Sequence, residues 1–70
     1  LKGDSKLQIR VAEFVGESHK DWQDAVNSAI VDASKTFTNI SGVEVQNWTA
    51  SVQGNKIVDY KANIKIAYTE

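Results

Sequence analysis

The residues able to do chemistry in this chain are few and scattered. The single histidine, His19, stands between Glu17 and Asp21, with Asp24 three residues further on. Acid–base or metal work at His19 would need more converging ligands than these, and acids gathered where a helix begins ordinarily serve the positive end of its dipole. Repeated around a symmetry axis, Glu17, Asp21 and Asp24 could attract Ca2+, because symmetry multiplies the ligand count. Lys61 and Lys65 alternate with Asp59 and Asn63, which reads either as a solvated strand face or, once repeated by symmetry, as a positive pocket for an anionic ligand. Trp22 falls on an apolar helical stripe and is assigned to the core. Trp48 is assigned to packing between subunits, where Trp is favoured. The chain has no Cys, so thiol nucleophiles, thiolate metal sites and disulfides are all excluded. It also lacks a Ser-His-Asp grouping, metal-ligand spacing and a Gly-rich phosphate loop. Lys61 and Glu44 would have to be shared between subunits to build a catalytic pocket, so the chain is read as not an enzyme, with no metal.

Elements must position these residues, and the chain is short. Its 70 residues make one small domain, too small to bury a comfortable core without disulfides, metal or partners. With no Cys, association is the remaining way to stabilise it. Eight Lys and Arg against nine Asp and Glu give a net charge of −1, which offers no basic field for nucleic acid or anionic lipid. No apolar run is long enough to span a membrane, and the opening Leu1 to Lys6 is too polar for the core of a signal peptide. The start at Leu1 reads as a trimmed chain. The compartment stays open, with the cytoplasm favoured over export. Asn39-Ile40-Ser41 and Asn47-Trp48-Thr49 fit the glycosylation pattern, a match this short arising often by chance.

Leu7, Ile9, Val11 and Val15 alternate with polar residues, the period of a half-buried strand. Ala12 and Phe14 occupy its other face, expected to meet another subunit, and Glu13 points along the apolar face and needs a partner. Gly16 is expected to end the strand and Ser18 to cap a helix, with Asp21 three residues on. Trp22, Ala25, Val26, Ala29, Ile30, Ala33 and Phe37 then form an unbroken helical stripe whose alanines allow a sheet to approach closely. Asn39, Ser41 and Gly42 break the pattern. Val43 to Val52 reads as a second strand, Gln53 to Lys56 as a hairpin connection and Ile57 to Thr69 as a third strand. In the third, Val58, Tyr60, Ala62, Ile64, Ile66 and Tyr68 share the face expected to cover the helix. At roughly 40 Å this strand is longer than one short helix can cover. The expected architecture is a two-layer α/β, β-α-β-β subunit, one helix on a three-stranded antiparallel sheet of order 1-3-2. Residues 1–6 are expected to be a flexible N-terminal segment and 7–70 a single domain.

In this order the residues resemble the dodecin family of small flavin-binding proteins. Val11-Ala12-Glu13-Phe14-Val15-Gly16-Glu17-Ser18 is similar to its strand ending in V-G-T-S, and Trp22-Gln23-Asp24-Ala25-Val26 to its W/F-x-x-A-I/V helix opening. Ala33-Ser34-Lys35-Thr36 resembles the helix end A-S-K/E-T, Val43-Glu44-Val45 the x-E-V start of the second strand, and Val52 to Ile57 the V-E-D-G-K-I hairpin. The resemblance runs from about Gln8 to Glu70 without a gap. It implies subunits assembled twelvefold into a hollow shell, with flavins held in pairs near two-fold axes for storage rather than catalysis.

Two departures bear on the ligand. Flavin-binding members carry a Trp just before x-E-V that stacks on the isoalloxazine ring, and Gly42 stands there. They also carry a third-strand Gln that bonds the ring edge, where Lys61 stands. Losing an aromatic partner removes on the order of 0.5–1.5 kcal/mol beyond buried area. The expected function is therefore a dodecin-like homo-oligomeric shell of twelve subunits that stores or sequesters a small ligand. Its binding of riboflavin, FMN or FAD is expected to be weakened or lost. The alternative is a structural or interaction oligomer with no specific ligand. Trp48 shares strand parity with Gly42 on this reading but lies roughly 20 Å from it, too far to replace the missing ring.

Overall fold

The computed structural model describes residues 8–69. The expected flexible segment 1–6, Leu7 and Glu70 lie outside the described residues. The chain runs as β1 (Ile9–Ser18), α1 (Trp22–Ser34), β2 (Ile40–Gln53) and β3 (Lys56–Thr69). Both neighbours of β3 run antiparallel to it, in the order β1-β3-β2. The helix lies on one face of this sheet, and among the described residues no layer covers the other face. The β-α-β-β architecture is thus the one the periodicities predict.

Small residues let the two layers meet. Ala25, Ala29 and Ala33 are buried on the helix and face Ala62, Ile64 and Ile66 on β3, all at 2 % exposure or less. Phe14, Val26, Ile30, Phe37, Ile40 and Val45 close over this nucleus. Gly16 sits under the helix, where an added Cβ would stand 1.8 Å from the Ala25 carbonyl oxygen and 2.9 Å from Ala29 Cβ. The glycine therefore serves close approach, not a strand end, and β1 continues two residues past it to Ser18.

Three local expectations are corrected. On β1 the buried face is the even one. Phe14 and Gly16 meet the helix, whereas Ile9, Val11 and Val15 are 72, 59 and 64 % exposed on the open face. Apolar residues occupy both sides of this strand, and the close approach at Gly16 decides which side goes inward. The helix cap is Asp21, whose side chain accepts from the Asp24 amide. Ser18 instead accepts from the Lys20 amide at 2.9 Å and donates to Asp24 Oδ2 at 2.7 Å, tying the strand end to the first helical turn. Asn39, with φ 58°, turns the chain into β2. The helix has already closed by then, through bonds from the Thr36 and Phe37 amides to the Ala33 carbonyl. Ser41 and Gly42 lie within β2 and are not part of the break.

The hairpin between β2 and β3 closes over Gly54 and Asn55, and Gly54 carries the positive φ of 62° that a first loop position of type II′ requires. Along this ladder the register shifts at Ser41, Gln46 and Val58. Each extra residue exchanges the two faces of the strand beyond it. The 14 residues of β3 extend over about 45 Å, against about 20 Å for the 13-residue helix, so the hairpin end runs past the helix.

Replacing Gly16 by Ala forces a methyl group into the backbone of α1, which cannot yield as a flexible side chain would. Urea unfolding of Gly16→Ala should show a loss of about 2–3 kcal/mol or failure to fold. An unchanged midpoint would mean that the helix sits farther from β1.

Candidate functional site

The open face of the sheet carries most of the residues singled out for chemistry, because the register sorts them into rows across the three strands. Val11, Ala67 and Gly42 form one row, and Glu13, Lys65 and Glu44 the next. Val15, Asn63 and Asn47 follow, with Asn63 Nδ2 donating to Asn47 Oδ1 at 2.6 Å. Glu17, Lys61 and Thr49 form the fourth row, and Asp59 beside Ser51 begins the hairpin end. Cross-strand neighbours on one face are the interacting unit of a sheet. Glu13, expected to need a partner, thus stands directly opposite Lys65.

Gly42 lies at one end of this face, in a shallow depression of about 230 Å3 lined by Val11, Val43, Glu44, Lys65 and Ala67. Its backbone is not left-handed, and an added Cβ would meet nothing within 4 Å. A Cβ at this position is unobstructed by the described residues. Lys61 lies six β3 residues from Ala67, the partner of Gly42, which places the two family positions about 20 Å apart along the strand. One subunit brings them onto the same face but not into one site.

Lys61 is engaged by Asp59, its Nζ lying 3.3 Å from Asp59 Oδ2. Across the strand, Glu17 stands opposite Lys61 and is a diagonal neighbour of Asp59 on the same face. Hydrogen bonding with Asp59, followed by the charge of Asp59 and by desolvation, holds the Glu17 carboxyl above its ordinary value, with Lys61 and His19 opposing. Hydrogen bonding with Glu17 in turn lowers Asp59 against the cost of its own desolvation, and Lys61 lowers it further. Asp59 Oδ1 is nevertheless buried without a hydrogen-bond partner among the described residues. These facts agree once the proton is considered, since two ionised carboxylates share no hydrogen and form a bond only when one is protonated. His19 is exposed, with Nδ1 3.1 Å from the Val58 carbonyl oxygen and 3.7 Å from Asp59 Oδ1.

The proposed grouping of Glu17, Asp21 and Asp24 is divided by the fold. Glu17 lies on β1 facing Asp59, Asp21 caps the helix, and Asp24 accepts from Ser18. Among the described residues, no group of three or more His, Cys, Asp or Glu could hold a metal ion. Local sequence carries no signal for the Glu17–Asp59 pair, because residues 42 positions apart become neighbours only through the β1–β3 register.

Trp48 stands on a different face from the one its parity predicts. The register shift at Gln46 places it opposite Ala62, on the helix side of the sheet, so it shares no face with Gly42. Trp22 meets Trp48 edge-on at 6.3 Å and Tyr60 at 4.9 Å between centroids. Its Nε1 donates to the Thr49 carbonyl at 3.0 Å. Phe37 stacks on Tyr68 at 4.1 Å at the other end of the helix. The aromatic residues thus brace the two ends of the helix on the sheet.

This architecture defines a small β-α-β-β unit with one patterned sheet face that the described residues leave uncovered. A family model for dodecin matches residues 9–70, and the chain belongs to the dodecin family. Among solved structures, it is similar to the dodecin of Streptomyces coelicolor at 24 % identity, covering 94 % of each chain with a TM-score of 0.88. The dodecin of Streptomyces davaonensis gives 24 % identity over 94 % of this chain and 97 % of that one, TM-score 0.87. A mutant dodecin of T. thermophilus gives 19 % identity over 91 % and 96 %, TM-score 0.86. No curated protein matches the chain.

Trp22→Phe keeps the edge contacts of the ring and removes the donor to Thr49. Denaturant unfolding should register a loss of about 1 kcal/mol. No loss would show that the indole hydrogen bond contributes nothing to holding the helix on β2.

Proposed function

We propose that the chain is one subunit of a closed homo-oligomer of twelve copies that stores or sequesters a small ligand between subunits, binds flavin weakly and is not an enzyme. The observation that carries this reading is the open face itself. It exposes Ile9, Val11 and Val15 beside Gly42, an apolar stripe along β1 that a second copy would remove from water. The two family positions, Gly42 and Lys61, lie on that face and are too far apart to act together within one subunit. A ligand touching both would have to sit where copies meet. The open space over Gly42 lies where the family's flavin binders place a stacking Trp, and Lys61 offers a charge where they place a neutral amide. Flavin affinity is weakened on both counts.

A second reading, an oligomer with no specific ligand, is favoured by the engagement of Lys61 with Asp59 at 3.3 Å, which spends the positive charge within the subunit. Native mass spectrometry separates the two by reporting subunit number and retained ligand mass together. Riboflavin fluorescence quenching adds the test of the site, comparing the native chain with Gly42→Trp combined with Lys61→Gln. Nothing in one copy obstructs a Cβ at Gly42, so the double variant should assemble and bind riboflavin about tenfold or more tightly than the native chain, as 1.4 kcal/mol of stacking and burial gives. A stable monomer at micromolar concentration would overturn the assembly. Tight flavin binding by the native chain would overturn the weakened site. No gain in a correctly assembled double variant would favour the oligomer without a ligand.

A further inference from the structure

We propose that Glu17 and Asp59 share one proton, forming a pH-operated latch between the end of β1 and the hairpin end of β3. Asp59 is held almost out of solvent, its side chain only 10 % exposed. Its Oδ2 is matched by Lys61, but Oδ1 is buried and accepts no hydrogen bond among the described residues. A buried acceptor left without a donor is costly, so its nearest possible donors decide its fate. His19 Nδ1 is 3.7 Å away, beyond hydrogen-bond length, and lies closer to the Val58 carbonyl at 3.1 Å. On β2 the adjoining residues, Thr49 and Ser51, carry no charge. On α1, Asp24 faces the groove that Glu17 also lines, together with Asp32 and Lys35, but its carboxylate already accepts from Ser18. Glu17 remains: it stands opposite Lys61 on β1, a diagonal neighbour of Asp59 on the same sheet face, and its carboxyl can supply the missing hydrogen when protonated.

The latch has a definite sense. With both carboxylates ionised beside Lys61, the three groups sum to one negative charge, and the carboxylates repel. When Glu17 takes a proton, its O–H donates to Asp59, Asp59 keeps its ion pair with Lys61, and the three groups become neutral. The folded chain binds this proton more firmly than the unfolded chain, because Glu17 lies above its ordinary 4.5. Stability from Glu17 therefore grows as pH falls through its folded value and is complete below 4.5. Asp59 is shifted the other way, so its contribution is present above its ordinary 3.8 and is lost as pH falls through its lower folded value. The latch is strongest between these limits and loosest at neutral pH and above. Lys61 is one of the ligand positions considered above, but the latch holds whether or not any ligand binds.

Glu17→Gln supplies a permanent neutral donor in place of the protonated carboxyl. Thermal unfolding of the native chain and of this variant should show the variant more stable by a few degrees at pH 7, with the difference closing as pH falls toward 4.5. Carbon-detected NMR titration should place the Glu17 carboxyl above 4.5 in the native oligomer and return it toward that value in Asp59→Asn. A difference in melting temperature that stays constant with pH, or a Glu17 titration indifferent to Asp59→Asn, would overturn the proposal. So would stabilisation of the native chain at pH 7 by millimolar Ca2+ that Glu17→Gln abolishes, since a metal ion and not a proton would then join the carboxylates.

Discussion

Everything else in this subunit depends on how closely the helix approaches the sheet. Three buried alanines on α1 lie over Gly16 and Ala62, and the Ala25 carbonyl comes so near β1 that no Cβ fits at residue 16. Dispersion is gained from this close fit, but the material available for burial is small. Ile64 and Ile66 are the largest fully buried side chains. A core built from alanine and two isoleucines contributes little per residue, and a domain of this length is marginal with so little buried. The aromatic braces at the helix ends, Trp22 with Tyr60 and Trp48, and Phe37 with Tyr68, add the larger apolar surfaces that the alanines omit.

The same close approach leaves a second demand unmet. A short helix covers less than half the length of the β2–β3 ribbon, and among the described residues nothing layers the far face of the sheet. That face is sorted into apolar and charged rows, with Val11, Ala67 and Gly42 at one end and Glu17, Lys61 and Asp59 at the other. In the proposed assembly the apolar stripe is the part that other copies cover, and the ligand positions lie at two separated places that only neighbouring copies could join. Fold and function then rest on the same physical fact, which is that one copy cannot bury its own sheet.

Bulges decide what each face presents. The shift at Ser41 turns Ile40 inward and Gly42 outward, and the shift at Gln46 turns Trp48 toward the helix. With an unbroken period of two, Trp48 would stand on the face of Gly42. One inserted residue separates them and sends the indole to brace Trp22.

The secondary elements and their order were legible in the sequence because each rests on local periodicity. The alanine stripe from Trp22 to Ala33 has the helical period, and Tyr60 to Tyr68 has the strand period with its inward face correctly read. The family resemblance was legible for the same reason, since its motifs are runs of neighbouring residues. What the tertiary structure decided is which face of β1 is buried, where the strands bulge and which charges meet. On β1 both parities are apolar, so composition alone is neutral, and it is the steric demand at Gly16 that turns Phe14 inward and Val15 outward. Ser18 and Asp21 both have capping chemistry, and the longer course of β1 gives the cap to Asp21. Glu17 and Asp59 have no local signal in common. Only the β1–β3 register and the burial of Asp59 make them a pair, because a proton shared between carboxyls is a matter of distance and desolvation, and neither quantity is written in the order of the residues.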